Sequence, residues 1–576
     1  MSRRRRPAER TTDERAYTVH PLEDKSDKAA DSQSRSWSGS SSWLWDREER
    51  RIWLICLVFR AINGLMVQTY FNPDEHWQAL EVAHRLSFGY GHLTWEWKEG
   101  IRSYLHPLIF ALLYKILAIL HLDSSLAMAS SITTCHTKGV RVYMAEAPRV
   151  LQSIFASFGD VYLYKLSKLV FDEHVAKWAL FCQMVNWFMF FCITRTFSNS
   201  LETVLTTAGI FYWFLAIESS KKSKMHSSRK LALTIAALAC AVRPTSAITW
   251  LYVGLIDLFQ VQSKLKFIFI EVIPVGSLVL SLTCLLDRLM YQSWVIVPFN
   301  FLKFNFLSSG GDYYGTHVFH WYFTQGFPSM VWTFLPFSII GIVKSRERKL
   351  AGLIAWVLGL YSVLGHKEFR FVLPMLPITL MFSGYCLASM EKQTYPSNSR
   401  SKNTRATSVS EKDGNKLKLK LAIVFLVLTN VPMAIYMTSV HQRGTEDVMY
   451  YLSKEAHKGE VSSILFLMPC HSTPYYSSLH YNVTMRFLDC TPSEKRDVVD
   501  ESDQFMLNPS DFVKSKFSDS LLLNFSHLVL FDAEERQLKD LLSSHFVEAK
   551  RFFHSHFKVD RDLQSSVVVY IKKEGT

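Results

Sequence analysis

KFIFIEVIPVGSLVLSLTCLL, residues 266–286, is a run of 21 residues interrupted only by Lys266 and Glu271 as charged side chains. An apolar stretch of about 20 residues matches the hydrocarbon thickness of a bilayer, so this segment reads as a membrane-spanning helix. Similar windows recur near 51–68, 105–121, 147–170, 176–194, 200–217, 231–258, 329–343, 350–365, 370–388 and 419–438. Together they predict an α-helical polytopic membrane protein of about eleven spans. Several windows carry Gly, Ser, Tyr or single charges such as Asp160 and Arg243, as expected of helices that face one another or a wet cavity.

Composition agrees. The 576 residues are 49% hydrophobic and 14% aromatic but only 20% charged, too apolar for disorder and poor in charge for a soluble chain. The formal charge of +13 sits in short segments beside apolar runs. Residues 219–231 carry five basic and no acidic side chains, whereas residues 440–576 carry 16 basic against 20 acidic. Juxtamembrane charge is distributed in this way; a nucleic-acid surface is not, so no nucleic-acid partner is expected.

Residues 1–50, rich in Arg, Ser and Asp, read as a disordered cytoplasmic tail with no cleavable signal peptide ahead of the first span. The Lys/Arg bias puts Arg3–Arg6, KSRERK at 344–349 and residues 391–420 on the cytoplasmic side. Strict alternation of eleven helices satisfies all three. It places residues 69–104, 288–328, 365–370 and 440–576 on the opposite, lumenal face. One loop disagrees: SKKSKMHSSRK at 220–230 would also be lumenal. Either it is an exception or helices are miscounted around it, and Arg243-Pro244 is a point where the 231–258 window can break in two.

The multi-pass module therefore covers 51–439. Beyond about residue 440 short strand-like runs appear, SSILFLMP (462–469), HLVLF (527–531) and SVVVYIKK (566–573), and predict a small soluble α/β domain over 440–576. Its sequons at Asn482 and Asn524 are glycosylation sites if the domain is lumenal. Cys470 and Cys490 alone share it, as free thiols or as a disulfide. No CxxC-type metal spacing exists, and no metal is expected. The one DxD spacing, Asp560–Asp562, lies near the chain end and reads as chance. His554 and His556 read as surface histidines.

Two constellations carry chemistry. After the first span comes QTYFNPDEHWQALEVAHRLSFGYGHLTWEW (68–97), with Asp74 and Glu75 in a Pro-initiated turn. The pair can cap the following helix or supply a general base at the mouth of an intramembrane cavity. Trp77, Trp95 and Trp97 suit the headgroup layer or a sugar face. The second is GHKEFRFVLPMLP (365–377), which gathers His366, Lys367, Glu368 and Arg370 at a helix end. Such charges are snorkelling interfacial groups or grip an anion such as a phosphate.

NPDEHWQ, TRTFSNSLET (194–203), FNFLKFNFLSSGGDYYGTHVFHWYFTQGFP (299–328), HKEFRF, HQRGT (441–445) and MPCHSTPYYS (468–477) together resemble the dolichol-phosphate-mannose-dependent mannosyltransferases of the GT-C type. HKEFRF marks the family; HQRGT and PCHSTPYYS resemble its glycosylphosphatidylinositol (GPI) branch. The resemblance covers residues 50–576. It implies an endoplasmic-reticulum membrane enzyme that transfers mannose from dolichyl phosphate mannose, α1,2-linked, as the third mannose of a GPI precursor, acting on a dimannosyl GPI lipid without a cofactor. A related α1,2-transferase of N-glycan precursor assembly shares the signature, and a polytopic transporter is the alternative of another class. By the same resemblance Asp74 is the base, with Glu75 its neighbour or alternative, while His366, Lys367 and Arg370 bind the donor phosphate. His106, Tyr313, Tyr314, His317, His320 and Trp321 are weaker candidates for sugar and lipid contact.

Overall fold

A computed structural model describes residues 46–122, 146–220, 226–307, 310–311, 315–394, 407–492, 499–517, 519–558 and 564–573. Residues 49–576 form one compact unit. Residues 1–45 of the expected N-terminal tail, Tyr313, Tyr314 and the Asp560–Asp562 pair lie outside the described residues, while the last four tail residues already belong to helix Arg47–Met66.

All eleven apolar windows are helical; 176–194 is interrupted at Asn186, and two others change the path of the chain. The first is 105–121. Its helix, Leu105–Ile119, has 15 residues and so is about 22 Å long, short of a hydrocarbon core of about 30 Å. It lies instead along the helix Glu81–Phe88: Ser87 Oγ donates to the Ala111 carbonyl and Lys115 Nζ to the Ser87 carbonyl. Ala79, Leu80, Ala83, Phe110, Ala111, Tyr114 and Leu117 close a small core between the two. The outer face, with Leu112, Ile116 and Ile119, stays exposed, the disposition of a helix lying in a bilayer surface. The second is 231–258, which breaks into His226–Val242 and Ala247–Gln260. Arg243 adopts an extended backbone, φ −143° and ψ 112°, before a short 3₁₀ turn at Pro244–Ser246, as the residue preceding a proline prefers.

One pass is lost and one gained. Among the described residues the bundle helices are Arg47–Met66, Ala147–Val170, Glu173–Val185 with Trp187–Cys192, Ser198–Ser220, His226–Val242, Ala247–Gln260, Lys264–Tyr291, Tyr322–Ser345, Arg348–Val363, Leu376–Thr394 and Thr407–Ser439. Five of these segments have both the length and the apolar composition to cross a membrane. The others are shorter or carry polar groups that find partners inside the bundle, such as Arg60 with Asp160 at 2.6 Å.

Ion pairs mark the two ends. Lys392–Asp172 at 2.7 Å, His174–Glu391 at 2.9 Å, Lys165–Glu49 at 3.1 Å and Arg229–Glu271 at 3.4 Å gather helix termini at one end. At the other end Arg195 meets Glu75, Arg243 meets Asn199, and the Tyr104 N–H donates to Asp287. The helix ends flanking residues 221–225 therefore belong to the first group. The described ends of those helices, at Ser220 and His226, fall with 344–349 and 391–394, and the conflict with the charge bias disappears.

Among the described residues the five strands all lie beyond the bundle: β1 Ser463–Leu467, β2 Thr484–Phe487, β3 His527–Phe531, β4 Phe546–Phe553 and β5 Ser566–Lys572. They form one sheet in the order β2-β1-β3-β5-β4, parallel from β2 to β3 and antiparallel from β3 to β4. One face is covered by Leu538 and Leu542 with Phe505, Phe512 and Phe517. The other is covered by Val448, Met449 and Leu452 of helix Gly444–His457 and by Trp77 from the first loop. Trp77 is 2% exposed, so a residue expected at the headgroup layer instead joins the core of the sheet unit.

Candidate active site

The first loop is built by its Asn-Pro step. Asn72 caps the short helix Pro73–Glu75, its Oδ1 accepting from the Asp74 N–H at 3.0 Å. Pro73 pre-sets the first helical position, where a missing N–H costs nothing. The chain continues through a π-turn, His76–Leu80, into Glu81–Phe88. The turn directs the two acids to different surroundings.

Asp74 is engaged at Oδ2 by Arg370 Nη1 and is 15% exposed. Among the described residues no hydrogen bond reaches its Oδ1. Arg370 in turn grips Glu368 through Nε at 2.6 Å and Nη2 at 2.7 Å, and His366 Nε2 lies 3.0 Å from Glu368 Oε1. Asn72 Nδ2 donates to Glu368 Oε2 at 3.0 Å, which closes the circuit. Burial works against the Glu368 charge, but Arg370 and His366 outweigh it and hold the carboxyl far below the usual range. Burial pulls His366 down, and the Glu368 hydrogen bond and charge more than restore it, to above its ordinary value.

Glu75 is fully buried. Arg149 Nε donates to its Oε1 at 3.1 Å and Arg195 Nη1 to its Oε2 at 2.8 Å. Burial pushes this carboxyl up, but the two arginines prevail and hold it below the usual range. Both oxygens are held by arginine and the group is fully buried, so Glu75 lacks the exposure that a base acting on a substrate hydroxyl needs.

Lys367, expected at a phosphate, is 3% exposed and donates to the carbonyls of His317 at 2.8 Å, Leu364 at 2.5 Å and Gly365 at 3.4 Å. The ammonium closes the turn before the Phe369–Met375 helix. A different pair of cations lines a small cavity of about 20 Å³, room for about one water molecule. This cavity, beside the site, is bounded by Arg102, Ser103, Arg243, Thr245, Val297 and Phe301. Arg102 is held by Glu96 at 2.7 Å, which also accepts from Gln78 at 3.1 Å. Arg243 is steadied from behind by Asn199 at 3.0 Å and Glu202 at 3.2 Å. Asn199 also donates to the Arg370 carbonyl at 3.0 Å, tying the cavity wall to the Asp74 circuit.

Of the weaker candidates, His106 is buried, with Nε2 unpartnered among the described residues. His317 stacks on Trp321 at 4.7 Å, and Trp321 packs on Phe369 at 5.0 Å, a wall beside the HKEFRF turn. His320 is exposed and bonds Thr324. Across the first loop the 470–477 segment is clamped on: Tyr70 donates to the His471 carbonyl, Trp77 Nε1 to the Thr473 carbonyl at 2.9 Å, and Glu81 Oε1 accepts from the N–H groups of Tyr475 and Ser477 and from Ser477 Oγ. Cys470 and Cys490 are joined in a disulfide. Among the described residues the one cluster with metal-ligand spacing is Cys470, His471 and Cys490, whose two sulfurs are committed to each other.

The model of the Alg9-like mannosyltransferase family matches residues 51–480, a span that holds every residue of this circuit. The chain belongs to that family. It is 60% identical to Mannosyltransferase APTG1 of Arabidopsis thaliana over 91% of this chain and 92% of that one. It is 39% identical to GPI alpha-1,2-mannosyltransferase 3 of Bos taurus, over 90% and 88%, and 36% identical to GPI mannosyltransferase 3 of Yarrowia lipolytica, over 90% and 96%. In fold it resembles ArnT from Cupriavidus metallidurans, solved bound to undecaprenyl phosphate, with a TM-score of 0.50 at 9% identity over 90% of this chain and 97% of that chain. The Alg9-like bundle with its small terminal sheet is thus a GT-C fold.

Sequence reasoning gave no role to Arg102, Arg149, Arg195 or Glu446 and read Arg243 as a lone charge in a span and a point where the helix can break. Arg243 is the single cation of the 231–258 window, Arg149 stands at the start of 147–170 and Arg195 directly follows 176–194; a cation in or beside an apolar span is the signal that marks intramembrane functional or paired groups.

Proposed function

We propose that this chain transfers mannose from dolichyl phosphate mannose to a dimannosyl GPI precursor, α1,2-linked, as its third mannose, at the lumenal face of the endoplasmic reticulum. The observation that carries the reading is Asp74, held at one oxygen by Arg370 and open at the other, next to a cavity walled by Arg102 and Arg243. The names borne by relatives at 35–39% identity over most of the chain support the GPI acceptor. The clustering of basic loop residues at the end of the bundle away from Asp74 supports a lumenal site.

In the reaction Asp74 Oδ1 takes the proton of the acceptor hydroxyl as its oxygen attacks the anomeric carbon. The bond from that carbon to the phosphate oxygen breaks, and the donor's β configuration inverts to α. Dolichyl phosphate departs with the electron pair of the broken bond, and the charge gathering on it needs cations in a water-poor site, usually a large catalytic contribution. Arg102 and Arg243 supply them. Glu368 and His366 hold Arg370, and Arg370 fixes the Asp74 carboxylate. Lys367 shapes the turn and takes no part at the phosphate.

The lipid that accumulates in cells lacking the chain tests this reading. A GPI precursor arrested at two mannoses is the expected result. A truncated dolichol-linked oligosaccharide would transfer the assignment to N-glycan assembly, and accumulation of neither species would overturn both acceptor assignments.

A further inference from the structure

Behind Asp74 lies a buried ionic chain that joins four parts of the protein. Arg195, from the turn before helix Ser198–Ser220, pairs with Glu75 at 2.8 Å and donates to the Thr69 carbonyl at 2.7 Å. Arg149, near the start of helix Ala147–Val170, pairs with the other oxygen of Glu75 at 3.1 Å, donates to the Val67 carbonyl at 2.9 Å, and reaches Glu446 with Nη2 at 2.9 Å. Glu446 belongs to helix Gly444–His457 of the sheet unit, and His76 lies 3.1 Å from the same Glu446 oxygen. The four charged partners are at most 7% exposed. The two acids balance the two arginines, so removing one charge strands another in a dry interior.

Glu75 and His76 follow Asp74 directly, so whatever fixes these two side chains fixes the backbone that carries the base. We infer that Glu446 is a positioning residue for Asp74: through Arg149, which grips both Glu446 and Glu75, the helix of the sheet unit sets where the Asp74 carboxylate stands. The inference rests on Asp74 as the base. It assigns the sheet unit a part in turnover, by geometry and without contact to substrate. A misplacement of the reacting group by about 1 Å costs about 10²-fold in rate, whereas substrates held elsewhere keep their affinity.

The test uses the full-length enzyme in detergent or nanodiscs with labelled dolichyl phosphate mannose and a dimannosyl GPI acceptor. Glu446→Gln lowers kcat by about 10²-fold with KM for both substrates within about threefold, and Glu446→Asp, which keeps the charge, restores part of kcat. A folded Glu446→Gln protein with normal kcat overturns the inference, as does a loss confined to KM. If neither variant yields folded protein by size exclusion and thermal unfolding, the pair belongs to fold stability alone and the inference also fails. Asp74→Asn is measured alongside. If it turns over normally, the base assignment itself is wrong; if it is inactive while Glu446→Gln is normal, only the positioning role falls.

Discussion

Asp74 and Glu75 follow one another in the chain yet answer to different cations: Arg370 holds Asp74, whereas Arg149 and Arg195 hold Glu75. Substituting them therefore separates chemistry from folding. Asp74→Asn keeps the shape, leaves folding close to normal and lowers turnover by the roughly 10²–10⁴-fold typical of a lost general base. Glu75→Gln breaks a buried pair that costs about 3–5 kcal/mol to disrupt and shows first as a lower unfolding temperature. Turnover and thermal unfolding of both variants check the division; a stable, fully active Asp74→Asn protein refutes it.

The cavity between Arg102 and Arg243 makes a second prediction. Arg102 is 25% exposed and anchored by Glu96, so Arg102→Gln removes charge without stranding a deeply buried acid. A hydrogen bond to a charged group contributes about 1.5–3 kcal/mol, or roughly tenfold to 150-fold, and because Arg102 meets charge that grows on the leaving phosphate, that loss appears in kcat/KM for the lipid donor. Initial rates against donor concentration provide the measurement. Lys367→Gln, removed from the cavity by its carbonyl contacts, alters stability and leaves donor kcat/KM near the parent value.

Much of this arrangement was legible before any coordinates. The apolar windows located the helices because burying 20 apolar residues leaves few alternatives, and the paired acids and the HKEFRF cluster stood out as charge beside lipid. What composition hid was direction. Leu105–Ile119 is as apolar as a span, and only its contacts with Glu81–Phe88 lay it on a surface. Lys367 and Arg370 are both basic and three residues apart, yet one closes a turn while the other reaches Asp74. That difference arises from the extended backbone at Glu368, which no local pattern announces. Arg149 and Arg195 lie 74 and 120 residues from their partner Glu75, distances over which periodicity carries no information.

Glu81 supplies a pH prediction. It is fully buried, and burial pushes its carboxyl from 4.5 up to about 7, with hydrogen bonds from Ser477 and Tyr475 opposing. Because the folded value is raised, its stabilising effect is complete below about pH 4.5 and is lost as pH rises through about 7. Glu81→Gln retains the acceptor oxygen that Tyr475 and Ser477 use but has no charge to bury. The variant therefore unfolds near the parent temperature at acidic pH and above it at alkaline pH. Unfolding scans across that range decide it, and a variant less stable at every pH refutes the account.

Membrane sidedness can be read with engineered glycosylation. If Leu105–Ile119 lies on the surface and Arg243-Pro244 divides two passes, residues 123–145 share the compartment of Asp74, and residues 221–225 face the other way. If 105–121 crossed and 231–258 were one span, both assignments would reverse. Ser131→Asn creates Asn-Ile-Thr at 131–133, and Lys221→Asn creates Asn-Lys-Ser at 221–223. Each is placed in a background with Asn482 and Asn524, both exposed, changed to Gln. With a lumenal active site the first variant gains a glycan that endoglycosidase removes and the second gains none. The opposite pattern would restore the uninterrupted 231–258 helix and return the basic 220–230 loop to the lumen. Glycosylation at Asn482 and Asn524 in the parent chain fixes the compartment of the sheet unit, and with it that of Asp74, which Tyr70, Trp77 and Glu81 bind to the 470–477 loop.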